Sequence, residues 1–249
     1  MVTSRRTLRG LVAVSLAIGL VAAACGGSSS TNNLPGGGNG ANANASALAA
    51  GLYANLDKLD SYQFSWQVTA ASMAAGSKET GGYQTSGTVI NKPVKSYKIN
   101  NMGAVQIIVI GDKGWVSYDN GSTWMEDATY ASDPNALKGL LPASLYGTNF
   151  DTNAGDFKVV GEEKKNGVDC IHYQGSSNLG GAGVVVGVSA TSKSDLWVAK
   201  DGSYPVSGFY GWTATTAEGS GTWGYSFDIT NVNSSSNKVD APTNVTPTP

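Results

Sequence analysis

Tyr62-Gln63-Phe64-Ser65-Trp66-Gln67-Val68-Thr69-Ala70 decides the fold of this 249-residue chain. Large apolar side chains alternate with polar ones, the period of a strand that buries one face and wets the other. The same period returns near the C-terminus. Trp223, Tyr225, Phe227 and Ile229 alternate with Gly224, Ser226, Asp228 and Thr230, and in the preceding strand Val206, Tyr210 and Trp212 share a face. Shorter strands are predicted at 86–91, 95–100, 105–110, 114–118, 156–163, 168–174 and 194–200. Asp112-Lys113-Gly114, Asp119-Asn120-Gly121, Lys165-Asn166-Gly167 and Asp201-Gly202 sit between apolar runs, as hairpin loops do. Consecutive hairpins make an antiparallel meander. Residues 175–193, rich in Gly, Ser and Ala around Val184-Val185-Val186, read as a strand or a flap.

Two helical pieces accompany the strands. Ser46 is a good N-cap, and Leu48, Leu52, Leu56 and Leu59 recur at helical spacing over four turns. Asp133-Pro134 opens a second piece with Leu137, Leu140, Leu141 and Leu145, broken by Pro142. The fold class is therefore mainly β with a helical lid (α+β). One curved antiparallel sheet forms an unclosed half-barrel, covered by the N-terminal helix and the short central helical piece.

Outward from this body the chain changes character. Arg5, Arg6 and Arg9 precede the apolar run Leu11 to Val21, and Ala22-Ala23-Ala24 precede Cys25. That order is a cleavable export signal. With Cys25 directly after the small residues it resembles the lipobox of bacterial lipoproteins, which implies a diacylglyceryl thioether on Cys25 and cleavage before it. Two or three acyl chains hold a protein stably at a membrane surface. Ser4-Arg5-Arg6-Thr7-Leu8 also resembles a twin-arginine signal, so either export route fits. Residues 1–24 are thus a signal peptide, 25–45 a lipidated Cys with a Gly/Ser/Asn tether, 46–239 the domain, and 240–249 a Pro/Thr tail. A coil of such a tether's length reaches roughly 25 Å.

Charge excludes one class of partner. Three of the 16 basic residues and none of the 18 acidic ones fall in residues 1–24, so the remainder carries 13 against 18, a net charge of −5. All Arg residues lie in that leader. An acidic, Arg-free surface argues against nucleic acid, whose phosphates and base edges are read chiefly by Arg and Lys.

The catalytic motifs lack their contexts. His172 is the only histidine, shares a strand face with Val168 and Cys170, and no Gly-x-Ser-x-Gly elbow accompanies it. Gly219-Ser220-Gly221-Thr222-Trp223-Gly224 fits the dinucleotide glycine pattern but opens no helix. Cys170 reads as a small buried hydrophobe. Ser117-Tyr118-Asp119-Asn120-Gly121-Ser122-Thr123-Trp124 resembles the Asp-box of sialidase-type propellers. A propeller carries one box per blade and this chain has one, so it reads as a stable hairpin. No enzyme, cofactor or metal site is expected.

A longer resemblance covers roughly 46–242. The run Leu56-Asp57-Lys58-Leu59-Asp60-Ser61-Tyr62 leads into the alternating strand. Gly167-Val168-Asp169-Cys170-Ile171-His172-Tyr173, Asp195-Leu196-Trp197-Val198-Ala199-Lys200-Asp201-Gly202 and Tyr204-Pro205-Val206 follow in order. Phe227-Asp228-Ile229-Thr230 and Val239-Asp240-Ala241-Pro242 close the domain. In this order, behind a lipobox, they resemble the LolA-like lipoprotein-carrier superfamily, most closely the LppX/LprG-type bacterial lipoproteins. The resemblance implies a half-barrel whose cavity holds acyl chains of lipids or lipoproteins. Residues 179–190 match no part of that pattern, and no positively charged mouth is visible, so no headgroup site is carried over.

The expected function is an extracytoplasmic, membrane-anchored binder of acyl chains, a carrier or a sensor, acting as a monomer. The alternatives are a surface carbohydrate-binding or a purely structural lipoprotein. The expected cavity is lined by Phe64, Trp66, Val68, Tyr210, Trp212, Trp223, Tyr225 and Phe227 from the sheet. Leu52, Leu56 and Leu59 cover it from the first helix and Leu137, Leu140 and Leu141 from the second. Composition alone leaves open whether this face is a cavity or a solid core, since both use the same residues.

Overall fold

The computed structural model describes residues 45–71, 80–133, 135–137, 139–142, 157–178, 189–216 and 219–246. The chain divides into two units, Met1–Asn33 and Leu34–Pro249, and every described residue belongs to the second. The leader, Cys25, the tether to residue 44, Leu145 and residues 179–188 lie outside the described residues.

Helix α1 (Ala45–Leu56) leads into β1 (Ser61–Ala71). An antiparallel meander follows through β2 (Thr80–Ile90), β3 (Ser96–Asn101), β4 (Val105–Ile110), β5 (Lys113–Ser117) and β6 (Trp124–Glu126). After the single turn α2 (Thr129–Ser132), a second meander runs through β7 (Lys158–Lys165), β8 (Val168–Asn178), β9 (Ser189–Ala199), β10 (Pro205–Thr216) and β11 (Gly219–Thr230). The two meanders join where β1 pairs antiparallel with β11. A two-residue strand, β12 (Val245–Thr246), adds parallel to β6. The strand order is β12-β6-β5-β4-β3-β2-β1-β11-β10-β9-β8-β7, so the curved sheet is unclosed, in agreement with the fold class expected from sequence.

Register follows from the alternation. Phe64 pairs with Ile229, Trp66 with Phe227 and Val68 with Tyr225, and all six are buried. Cross-strand partners share a face, so one row of aromatic and branched side chains continues across the junction of the meanders. Gln67 and Thr69, on the other face, are exposed, and Gln63, Ser65, Ser226 and Asp228 are half-buried.

Local chemistry moves several boundaries. Helix α1 has three turns rather than four and begins at Ala45, with Leu59 beyond its end. Asn91 Nδ2 donates to the carbonyls of Leu56 and Leu59, at 2.9 Å each, and so satisfies the acceptors a helix end leaves open. A single helical turn precedes Asp133; of the piece expected from Asp133 onward, the described residues are turns or a bend up to Leu141 and helical at Pro142, and the rest of it lies outside the described residues. A residue before proline is pushed out of the helical region, and Asp133, before Pro134, is extended at φ −97° and ψ 110°. Leu137 and Leu140 lie in turns and Leu141 in the bend. At the hairpin between β7 and β8, Asn166 (φ 51°) and Gly167 (φ 82°) take the left-handed conformations a tight turn requires. The turn before β5 is centred on Gly111 and Asp112, one residue earlier than expected. Gly114 is in the strand, where a Cβ would meet the carbonyl of Asp127 at 2.5 Å.

The segment read as a Pro/Thr tail is paired at Val245–Thr246. The reason lies on the outer face of β4–β6, where Ile108, Trp115 and Trp124 form a second small apolar cluster. Val239 packs on that cluster, and Trp124 N donates to the carbonyl of Asn244 at 3.0 Å. Among the described residues no helix is long and apolar enough to cross a membrane.

Candidate functional site

The inner face of the sheet carries the main core. Leu52, Leu56, Phe64, Trp66, Val68, Leu137, Tyr210, Tyr225 and Phe227 are buried in it, and Leu59, Leu140, Leu141, Trp212 and Trp223 pack against it half-buried. Each residue expected to line a cavity therefore lies in, or packs on, one continuous apolar cluster. Trp66 is pinned from above, its Nε1 donating to the carbonyl of Leu140 at 3.0 Å. Trp212 and Trp223 are direct cross-strand partners, and Tyr210 meets Trp223 edge-on with ring centroids 5.9 Å apart.

A cavity of about 440 Å³ opens toward β2–β4, bounded by the end of α1, by α2 and by the turns after it. Its apolar floor is Val89, Val109, Leu56, Leu137 and Leu141. Of the expected lining, Leu56, Leu137 and Leu141 meet here, while the aromatic rows of β10 and β11 do not reach it. The volume falls within the roughly 300–1,000 Å³ of small-molecule sites.

The rim is polar. Asp57 follows α1, Lys95 precedes β3 and Tyr97 lies near its start, and Tyr130 and Asp133 belong to α2 and its end. Lys95 Nζ lies 3.7 Å from Asp57 Oδ1 and 5.8 Å from the centroid of the Tyr97 ring. Burial works against the Lys95 charge, but hydrogen bonds to Tyr97 and Asp57 outweigh it and raise its pKa. Burial, with Asp57 and Tyr97 nearby, pushes the Tyr62 phenol well up, and burial also raises Tyr130. Both stay protonated hydroxyls at neutral pH. Asp133 Oδ1 accepts from Asn135 N at 2.8 Å and from Asn135 Nδ2 at 3.2 Å. Among the described residues no cation pairs with Asp133.

Sequence reasoning passed over this rim and over Val89 and Val109. A signal existed. Tyr97 and Ile99 alternate in phase with Ile107 and Val109, and pairing places Tyr97 opposite both Val89 and Val109. Among the described residues the mouth carries one lysine, Lys95, beside Asp57, with Asp133 also on the rim.

The motifs set aside in sequence are structural. His172 lies on the outer face with Nδ1 3.0 Å from Glu163 Oε1 and Nε2 3.0 Å from Asp195 Oδ1. Its ring stacks on Trp197 at 4.3 Å. With each ring nitrogen on a carboxylate it clasps β7, β8 and β9. Among the described residues no group of His, Cys, Asp and Glu is placed to hold a metal. The Cys170 thiol is buried, and burial raises its pKa. In the Asp-box-like hairpin, Asp119 Oδ1 accepts from Thr123 N at 2.9 Å and Oδ2 from Thr123 Oγ1 at 2.6 Å. Gly121 N donates to Ser117 Oγ at 2.8 Å. Every one of these bonds closes the turn on itself, and Trp124 Nε1 adds one to the carbonyl of Gly121.

No protein-family model matches this sequence, and no curated protein matches it. Solved structures do. The lipoprotein LppX of Mycobacterium tuberculosis is 14% identical over 78% of this chain and 98% of its own, with a TM-score of 0.41. LprF of Mycobacterium bovis is 12% identical over 80% and 97%, also at 0.41. A LolA superfamily protein of Nitrosomonas europaea is 12% identical over 72% and 92%, at 0.24. The chain thus has a structural match to LolA-like and LppX-like proteins at low identity.

Proposed function

We propose that this protein is a lipoprotein, anchored through Cys25 to the extracytoplasmic face of the cell membrane, that binds the acyl chain of a lipid or acylated ligand as a carrier or sensor. The cavity beneath α1 and α2 carries the reading. Its floor is aliphatic, it opens to solvent at a polar rim, and it lies between the sheet and the elements expected to form its lid. A methylene occupies about the volume of a water molecule, roughly 30 Å³, so a chain on the order of 15 carbons fits. Each buried methylene contributes about 0.8 kcal/mol, enough to hold such a chain without ionic contacts.

Native mass spectrometry of the protein purified from a bacterial host tests the reading. Co-purified lipid is the expected result. Val89→Trp, which fills the floor, is expected to remove that lipid while thermal unfolding stays cooperative. Protein that is repeatedly empty, and that takes up no added fatty acid, sinks the proposal in favour of a structural lipoprotein; a hit on a glycan array favours the carbohydrate alternative. For the anchor, Cys25→Ala is expected to release the protein to the medium or leave its precursor uncut. An intact mass without acyl chains on the wild type contradicts it.

A further inference from the structure

We propose that the rim of this cavity selects amphiphiles with an ammonium-bearing headgroup, held by Tyr97 and Tyr130 with Asp57 and Asp133, while the chain lies on the aliphatic floor. The inference rests on the acyl-chain reading above and adds the chemistry of the headgroup.

The rim joins the two features that recognise alkylammonium ions. Aromatic faces attract a cation within about 6 Å of the ring centroid, and phenol rings grouped around one opening are the common form of such a site. Tyr62, Tyr97 and Tyr130 line this one cavity, Tyr62 buried at its wall and the other two half-buried nearer solvent. Carboxylates supply the opposite charge. Asp57 and Asp133 stand on different elements and face the opening together with Lys95.

Lys95 shows that the position takes a cation. Its ammonium lies within cation–π distance of Tyr97 and 3.7 Å from Asp57, and both partners of that pair are more than half exposed. An exposed pair at that length is weak and exchanges readily. Among the described lining residues two carboxylates, Asp57 and Asp133, stand against one ammonium, Lys95. Asp133 is the one without a cation among the described residues, and its bonds from Asn135 hold it in place. An ammonium headgroup on a seated chain supplies a cation beside Tyr130. An anionic headgroup would meet two aspartates and would have to take Lys95 from one of them.

The test uses the full chain carrying Cys25→Ala, so that no attached acyl group competes, and lysophospholipids of one chain length below their micelle concentration. Lysophosphatidylethanolamine and lysophosphatidylcholine carry phosphate and ammonium; lysophosphatidylglycerol carries phosphate alone; monoacylglycerol carries neither. By titration calorimetry the two ammonium lipids are expected to bind about tenfold more tightly than lysophosphatidylglycerol. Asp133→Asn is expected to remove most of that preference. Lys95→Met, which vacates Tyr97 and Asp57, is expected to strengthen binding of the ammonium lipids. Tightest binding of lysophosphatidylglycerol, lost in Lys95→Met, overturns the inference and makes the rim an anion site. Equal binding of all four lipids, unchanged in Asp133→Asn, overturns it too and leaves the acyl-chain reading standing. Failure of every lipid to bind overturns both.

Discussion

The two arms of the sheet bury their inner faces with different side chains. On β2–β5 the buried apolar residues of that face are Val89, Ile99, Ile107, Val109 and Val116, all β-branched and aliphatic, with Tyr97 half-buried at its edge. On β10 and β11 aromatics dominate, Tyr210, Trp212, Trp223, Tyr225 and Phe227, with Val206 and Ile229 at one end. Short, stiff branched residues cover the sheet in a thin layer, and what lies above them must fill the remaining height. Leu56, Leu137 and Leu141 approach from α1 and the turns after α2 and leave the 440 Å³ cavity between. Aromatic side chains reach further and interlock with one another, so across the junction Trp66 and Tyr225 pack ring to ring at 6.0 Å. Among the described residues this cavity lies on the arm with the smaller side chains.

Truncation on each arm measures that difference directly and has the largest expected effect. Phe227→Ala removes a ring that is 1% exposed and packed on all sides, and is expected to cost roughly 3–5 kcal/mol. Val109→Ala deletes about two methylene equivalents, worth about 1–2 kcal/mol of transfer free energy. Little cavity penalty should be added, because the space it opens joins a void already there. Urea unfolding of both variants checks this. A Val109→Ala loss as large as that of Phe227→Ala would mean the floor is tightly packed and would break the comparison.

The same contrast explains what could be read from sequence. Aromatic–polar alternation in Tyr62 to Ala70 and in Trp223 to Thr230 is a strong signal because each side chain occupies its face alone, and the register and shared face of Trp66, Trp212 and Trp223 follow from it. The aliphatic arm reads as strands equally well, but nothing in Val89, Tyr97 or Val109 says that a void will lie above them. A cavity is made by what is missing between elements, and the crossing of helix over sheet is a tertiary property. Residues 80–85, Thr-Gly-Gly-Tyr-Gln-Thr, carry no apolar alternation, and their place in β2 comes from pairing with Trp66 to Ala71. The outer-face cluster of Ile108, Trp115 and Trp124 with Val239 joins residues far apart in the chain, and that pairing is invisible along it.

The outer faces differ as well, and here the expected effects are smaller. On the aromatic arm Asp195 is buried and accepts bonds from Gln174 Nε2 at 2.9 Å and from Lys193 Nζ at 3.0 Å, with His172 Nε2 also at 3.0 Å. Burial acts to raise its pKa, but the bonds from Gln174, Lys193 and His172 win and lower it from the usual 3.8. A carboxylate depressed in the folded state stabilises the fold above its unfolded value and loses that contribution as pH falls through the folded one. Asp195→Asn is therefore expected to cost about 1–3 kcal/mol at pH 7. The gap between variant and wild type is expected to close as pH is lowered below 3.8. A gap that stays constant from pH 7 to pH 2 would show that the clasp acts through shape and not through charge.

The aliphatic arm has its own outer carboxylate, fully exposed, and the smallest effect is expected there. Asp119 closes the hairpin between β5 and β6. Hydrogen bonds first from the Thr123 hydroxyl, then from its backbone N–H, and from Ser117, bring its pKa down to about 2. The sign matches that of Asp195. The contribution is complete above the unfolded value of 3.8 and fades as pH falls toward about 2. Because water screens an exposed carboxylate, the consequence is local. A carboxyl-carbon NMR titration is expected to place the Asp119 midpoint near 2, and Asp119→Ala is expected to speed amide exchange at Thr123 and Gly121 without moving the unfolding midpoint of the domain. A midpoint at 3.8 would mean that the hydroxyl and amide bonds do not persist in solution. An unfolding midpoint that falls as far for Asp119→Ala as for Asp195→Asn would mean that the exposed turn and the buried clasp matter equally to the fold. That result would contradict the dependence on burial from which both predictions are drawn.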